Sequence, residues 1–212
     1  MSPIDFPLYL ITDRRQAAGR TLTSVVRAAL EGGIKAVQLR EKDLPGRDLF
    51  VLAKELRGIT REFGARLLIN DHADIALAVD ADGVHIGASS LPVREVRHLL
   101  GTRLIGYSAH GAAEALQAAA DGADFVTFGP VFFTPSKAAY GTPVGLEKLA
   151  EAAGKLKIPL FALGGIKLEN IPDVMAAGAD GIAMISAIIA ANDPKTETTN
   201  LLKTIEQHAA KH

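Results

Sequence analysis

Four stretches of this chain obey one grammar: "EGGIKAVQLR" (31–40), "DADGVHIG" (80–87), "DGADFVTFGPV" (121–131) and "AGADGIAMIS" (177–186). In each, a helical run stops at Gly or Ala-Asp-Gly, and a short apolar run follows at once. Glycine tolerates the left-handed turn that commonly ends a helix. A strand set directly behind a helix stop, repeated along a chain, is the mark of a recurring βα unit. This recurrence constrains the fold more than any other property of the sequence.

Eight runs have strand length and strand composition: 8–12, 36–40, 67–70, 83–86, 104–108, 125–128, 159–163 and 181–185. Most are almost continuously apolar, as expected of parallel strands covered on both faces. Between them apolar residues recur at helical spacing: Leu52, Leu56, Ile59 and Phe63; Val93, Val96 and Leu100; Ile171, Val174 and Met175. A short helix is predicted over 73–78, and a last one over 197–209 presenting Leu201, Leu202 and Ile205. No composition break divides the chain, so residues 1–212 are expected to form a single α/β domain. Eight βα units in 212 residues fit a (βα)8 barrel of the TIM type. A doubly wound open sheet is the alternative, but no G-x-G-x-x-G follows the first strand. Right-handed crossovers over eight strands close naturally.

Composition excludes some partners. Apolar residues make up 48 % of the chain and the formal charge is -1, which leaves no footprint for nucleic acid or an anionic membrane. There is no cysteine, hence no disulfide, thiolate metal site or thiol nucleophile. The opening "MSPIDFPLYLITDRR" lacks a basic leader followed by a long apolar run, and no run is long enough to span a bilayer. A cytoplasmic protein with small-molecule partners is expected, and a homo-oligomer is compatible with the composition.

Barrel chemistry sits at the carboxyl ends of the strands. Strand 2 ends in "QLREKD", where Gln38, Arg40 and Lys42 alternate and share one face. Two cations gathered there call for an anion. The blander reading has them snorkel outward to Glu41 and Asp43. Strand 3 ends in "INDHAD". Asp71 can ligate a hard cation such as Mg²⁺, and Asn70 can hydrogen-bond a polar substrate. Equally, both suit the cap of the following helix. Strand 5 ends in "GYSAHG", where Ser108 and His110 alternate and can face the mouth together, although a solvent-facing loop histidine is the favoured reading of His110. His85 reads as a packed, hydrogen-bonded histidine, and His72 and His98 as peripheral. The loop "FGPVFFTPSKAAYG" is long for a βα connection and carries Thr134, Ser136 and Lys137 around Pro135, with Gly141 and Gly145 as hinges. "ALGGI" and "AMISAI" place Gly164, Gly165, Ile185 and Ser186 where barrels commonly bind phosphate. Two anion sites are therefore expected, one of backbone amides and one of Arg40, Lys42 and Lys137 with Asp71 bridged through a divalent ion.

The stretches "LYLITDRR", "QLREKD", "INDHADIALAVDADGVHIG", "FGPVFFTPSK", "ALGGI" and "GADGIAMISAI" together resemble the thiamine phosphate synthase family, over nearly the whole chain. The resemblance implies a (βα)8 barrel that joins a hydroxymethylpyrimidine diphosphate to a thiazole phosphate with Mg²⁺. It implies that Arg40, Lys42, Ser108 and Lys137 serve the chemistry. Gln38, Leu39, Arg40, Glu41, Lys42, Asn70, Ser108 and Lys137 would line the pyrimidine diphosphate. Thr134, Pro135 and Ser136 would line the thiazole, and Gly165, Ile185 and Ser186 its phosphate. Asp71 would hold Mg²⁺. In one place the chain departs from the family: the loop after strand 4 usually presents an acidic second Mg²⁺ ligand just before Leu-Pro, and here Ser90 stands there. That departure raises two alternatives that share the thiazole-phosphate site: a thiazole tautomerase, with His110 in proton transfer, or a non-catalytic binder of thiazole or thiamine phosphate.

Overall fold

The computed structural model describes residues 4–134 and 142–209. Eight parallel strands close into one barrel in chain order: β1 (Leu8–Ile11), β2 (Ala36–Leu39), β3 (Arg66–Asn70), β4 (Gly83–Ile86), β5 (Leu104–Ala109), β6 (Phe125–Phe128), β7 (Leu160–Leu163) and β8 (Gly181–Met184). β8 pairs back onto β1 through Leu8↔Ile182 and Leu10↔Met184. Around them run α1 (Leu22–Glu31), α2 (Gly46–Glu62), α3 (Ala73–Ala78), α4 (Val93–Leu100), α5 (Ala112–Ala120), α6 (Gly145–Ala153), α7 (Ile171–Ala176), α8 (Ser186–Ile189) and α9 (Pro194–His208). The barrel expected from the sequence is the one observed.

The Ala-Asp pair that recurs in three of these stretches has a physical cause. Asp82 stands just before β4 and accepts the backbone N–H of Leu67 in β3, at 2.8 Å. Asp124, before β6, accepts from Ile105 in β5 at 2.7 Å. Asp180, before β8, accepts from Leu160 in β7 at 2.8 Å. Each aspartate thus satisfies a donor at the start of the preceding strand, a group that would otherwise lie unpaired at the barrel floor. Arg57 and Arg97 hold Asp82 and Asp124 in place, each at 2.6 Å.

Two apolar layers form. Strand residues such as Leu8, Leu10, Val37, Leu67 and Ile69 face the helices. Phe6, Tyr9, Ile11, Ala36, Leu68, Leu104, Phe125, Phe161 and Ala183 fill the interior. Bulky and small residues meet across neighbouring strands there: Tyr9 lies against Ala36 and Ala183, Phe125 against Gly106, and Phe161 against Gly181. A Cβ on Gly181 would come within 2.6 Å of the Pro7 carbonyl oxygen and would strike the Phe161 ring. Four aromatic rings cannot share a narrow barrel unless the residues beside them are nearly bare.

The helices follow the expected periodicities with two shifts. In α2 the fully buried face is Leu49, Ala53, Leu56 and Thr60, while Leu52, Ile59 and Phe63 pack at its edge. α9 begins at Pro194, three residues before the predicted start. The Asp193 carboxylate caps it by accepting from Lys195 and Thr196, both at 3.1 Å.

Candidate functional site

The ends of β1 and β2 are locked together. The Arg40 backbone N–H donates to Thr12 Oγ1 at 2.9 Å, and the buried Thr12 hydroxyl donates to Glu41 Oε1 at 2.7 Å. The Arg14 backbone N–H reaches both Glu41 oxygens at 3.1 Å. The Arg14 guanidinium also grips Asp43 by two hydrogen bonds of 2.7 and 2.8 Å, which holds the Asp43 carboxyl below its ordinary pKa. Arg14 therefore takes both carboxylates that Arg40 and Lys42 were alternatively expected to pair with. Among the described residues, neither Arg40, half-buried, nor Lys42, exposed, has a side-chain hydrogen bond or ion pair. Alternation along the strand packs the Leu39 side chain into the outer apolar layer and turns Glu41 toward Thr12 and Arg14, and both residues border the cavity at this end of the barrel.

Beside this lock lies Asp71. Its φ of +62° is a left-handed conformation that a non-glycine residue adopts at some cost, and aspartate tolerates it better than most. Its backbone N–H donates to the His85 carbonyl at 3.0 Å, which fixes the turn. Asn70 Nδ2 donates to Asp71 Oδ2 at 2.7 Å, and the Ser90 hydroxyl donates to Oδ1. Ser90 is held in turn by the Gly87 N–H at 2.8 Å. The loop after β4 thus delivers Ser90 directly against Asp71. A cavity of about 210 Å³ opens here, lined in part by Lys42, Asn70, Asp71 and His72. Among the described residues no group of three His, Asp or Glu side chains gathers to hold a metal ion. One carboxylate and one hydroxyl still form a hard oxygen pair. This suits Mg²⁺ when phosphate oxygens and water complete its shell.

Below the mouth, Ser108 Oγ lies 3.0 Å from His85 Nε2. Thr127 Oγ1 is 3.3 Å from the same nitrogen. On the other side of the ring, Nδ1 lies 3.4 Å from the Tyr9 hydroxyl, which accepts from Gln38 Nε2 at 3.2 Å. Burial, with some help from the Arg40 charge, depresses the His85 pKa to about 3, so the imidazole is neutral. Burial raises the Tyr9 pKa, so the phenol keeps its proton. The structure therefore draws Gln38 and Ser108 into one network and bears out His85 as a packed, hydrogen-bonded histidine. His110 is the solvent-facing loop histidine of the favoured reading, and it does not join Ser108. It is exposed, its N–H donates to Glu114 at 2.8 Å, and its Nδ1 lies 3.7 Å from the same carboxylate.

At the far side of the mouth, Gly164 (φ +98°) and Gly165 (φ +66°) end β7. A Cβ on Gly165 would come within 2.7 Å of Phe132 and of the Phe133 carbonyl, so the pair lets the loop after β6 lie on this turn. Phe132 N–H donates to the Gly164 carbonyl at 3.0 Å. Ile185 and Ser186 open α8 on the neighbouring strand, with Ser186 exposed. Thr134 is half-buried. Pro135, Ser136, Lys137 and Gly141 lie outside the described residues. Gly145 is no free hinge, because its N–H donates to Val131 and that of Val144 to Pro130, which fastens the loop's return to its start. Thr12, Arg14, Tyr9 and Thr127 went unread in the sequence. For Tyr9, Thr12 and Thr127 the only signal was a polar atom at an inward or terminal position of an apolar strand, and Arg14, in the short 3-10 turn after β1, carried none.

Comparison with known proteins agrees with the fold. The family described as thiamine monophosphate synthase matches residues 8–188. A Geobacter sulfurreducens protein named putative thiamine-phosphate synthase is 60 % identical over 203 residues, 95 % of each chain. A Chloroflexus aurantiacus thiamine-phosphate synthase is 47 % identical over 190 residues, 90 % of this chain and 88 % of that one. The solved thiamine phosphate pyrophosphorylase from Pyrococcus furiosus superposes with a TM-score of 0.88 at 40 % identity, covering 95 % of this chain and 96 % of that one.

Proposed function

The chain belongs to the thiamine monophosphate synthase family, and from that premise we infer that it is a transferase of thiamine biosynthesis. It joins a hydroxymethylpyrimidine diphosphate to a thiazole phosphate. The single observation that best supports this reading is that, among the described residues, Arg40 and Lys42 stand without side-chain partners at the end of β2, with Lys42 and Asp71 lining one cavity, because Arg14 has taken Glu41 and Asp43. Such a mixed array suits a bound diphosphate.

In the reaction the bond between the pyrimidine methylene carbon and the diphosphate oxygen breaks, and the electron pair leaves with diphosphate. The thiazole nitrogen then forms the new C–N bond. The site needs cations and fixed dipoles rather than strong bases. Arg40, Lys42 and Lys137 hold the leaving diphosphate, and Gln38, Asn70 and Ser108 orient the pyrimidine. Thr134, Pro135 and Ser136 contact the thiazole. Gly165, Ile185 and Ser186 receive its phosphate on backbone amides and a hydroxyl. Mg²⁺ held by Asp71 and the Ser90 hydroxyl would neutralise charge on the diphosphate. The closed barrel mouth brings the two partners into contact. No helix among the described residues is long and apolar enough to cross a membrane.

The test is to supply both substrates with and without Mg²⁺ and to look for thiamine phosphate by mass. Product that forms faster with Mg²⁺ is expected. Interconversion of thiazole carboxylate tautomers with no thiamine phosphate would overturn the reading in favour of a tautomerase.

A further inference from the structure

The polar network inside the barrel has a direction. Gln38 Nε2 donates to the Tyr9 hydroxyl, so the Tyr9 proton is left for His85 Nδ1. A neutral imidazole that accepts at Nδ1 carries its proton on Nε2, and Nε2 faces Ser108 Oγ. Thr127 Oγ1 also donates to Ser108 Oγ, at 3.4 Å. Ser108 thereby receives two donors, which fills both of its lone pairs. Its own proton finds no acceptor within the network, and Ser108 sits half-exposed at the carboxyl end of β5. The ring cannot easily rotate out of this arrangement. It packs between Tyr9 and Phe125, each at 5.7 Å between centroids. Gly106 leaves room for it, since a Cβ there would strike His85 Nδ1 and the Phe125 ring.

We propose that the Gln38–Tyr9–His85 relay, fixed in the Nε2–H tautomer, makes Ser108 an obligate hydrogen-bond donor to the substrate, with His85 as a positioning residue. This rests on the synthase reading only for the identity of the substrate. The substrate atom above Ser108 must then be an acceptor, such as a phosphate oxygen or an unprotonated ring nitrogen. A donor at that point would meet the Ser108 proton head on.

The test begins with ¹⁵N NMR of the wild-type chain, free of substrate and metal, with the His85 signals identified by their loss in His85→Gln. A protonated Nε2 and a bare Nδ1 are expected. A proton on Nδ1 overturns the proposal whether or not the protein makes thiamine phosphate, and absence of thiamine phosphate overturns the synthase reading without touching the NMR result. Kinetics supply the second arm. His85→Asn is expected to lower kcat at least tenfold at little change in KM, about as much as Ser108→Ala, and the double variant no further. His85→Gln, whose amide nitrogen can replace the Nε2 donor, should recover most of the loss. Additive losses, or a glutamine no better than asparagine, would overturn the positioning role. If the variants fail to fold, the His85 ring signals are assigned through backbone correlations in ¹³C,¹⁵N-labelled wild type, and that spectrum alone decides.

Discussion

At the scale of single residues, alternation decides most of what was legible. Gln38, Arg40 and Lys42 were expected on one face, and the structure leaves both cations free of side-chain partners among the described residues. Ser90 was recognised as standing where an acidic ligand is usual. Its contact with Asp71 was not legible, because it depends on how the loop after β4 folds back. A second carboxylate there should bind Mg²⁺ more tightly than a neutral hydroxyl. Ser90→Asp is therefore expected to lower the Mg²⁺ concentration for half-maximal rate by about tenfold, equivalent to ~1.4 kcal/mol. An unchanged or raised value would separate this loop from the metal.

His85 gives a second prediction at the same scale. Its pKa falls from an ordinary 6.5 to about 3 in the folded protein. Between those values the unfolded chain binds a proton that the folded chain does not. Stability from this group therefore rises with pH through that window, is fully present above about pH 6.5 and is lost on acidification. The loss approaches roughly 1.4 kcal/mol per pH unit inside the window. Urea unfolding of the metal-free protein at pH 7 and pH 4.5 should show wild type losing about 2.5 kcal/mol more than His85→Gln.

At the scale of elements, the Ala-Asp repeat announced three of the strands, but its purpose lies between strands. Asp82, Asp124 and Asp180 each tie an even strand to the odd strand before it. A reader of the sequence sees the aspartate beside its own strand and cannot see the N–H it satisfies about twenty residues earlier. Asp124→Ala should cost about 1–3 kcal/mol, because it leaves the Ile105 N–H and the Arg97 guanidinium without this partner. Asp124→Asn keeps an acceptor and should cost less. Chemical denaturation of the two variants checks the order. Helix boundaries were less legible than helix existence. α9 starts early because Asp193 and Pro194 form a cap whose strength outweighs the weak apolar pattern of its first turn.

At the scale of the whole molecule, stability and chemistry occupy opposite ends of the barrel. Phe6 closes the amino end, with ring centroids 5.4 Å from Phe161, 5.8 Å from Tyr9 and 5.9 Å from Phe125. Phe6→Ala should cost about 3–5 kcal/mol through the cavity it leaves, yet retain kcat at temperatures where the variant stays folded. Lys42→Ala should do the reverse. Lys42 is exposed and contributes no packing, so the melting temperature should hold. Loss of an anion contact should lower kcat/KM at least tenfold. Thermal melts and steady-state rates on both variants test the separation.

The sequence by itself determined the number of βα units, the order of the strands, the face each strand residue takes and the presence of cations where β2 stops. These follow from local periodicity, which needs no partner to be read. Only the tertiary structure decided which charges remain available. Arg14 captures Glu41 and Asp43 from 27 and 29 residues away, and Tyr9 meets His85 across 76 residues. Such pairings exist only after the barrel closes, since closure is what brings the end of one strand within hydrogen-bond reach of another. The side chains that bound the site are named by the sequence; their protonation, direction and freedom to meet an anion are consequences of the closed sheet.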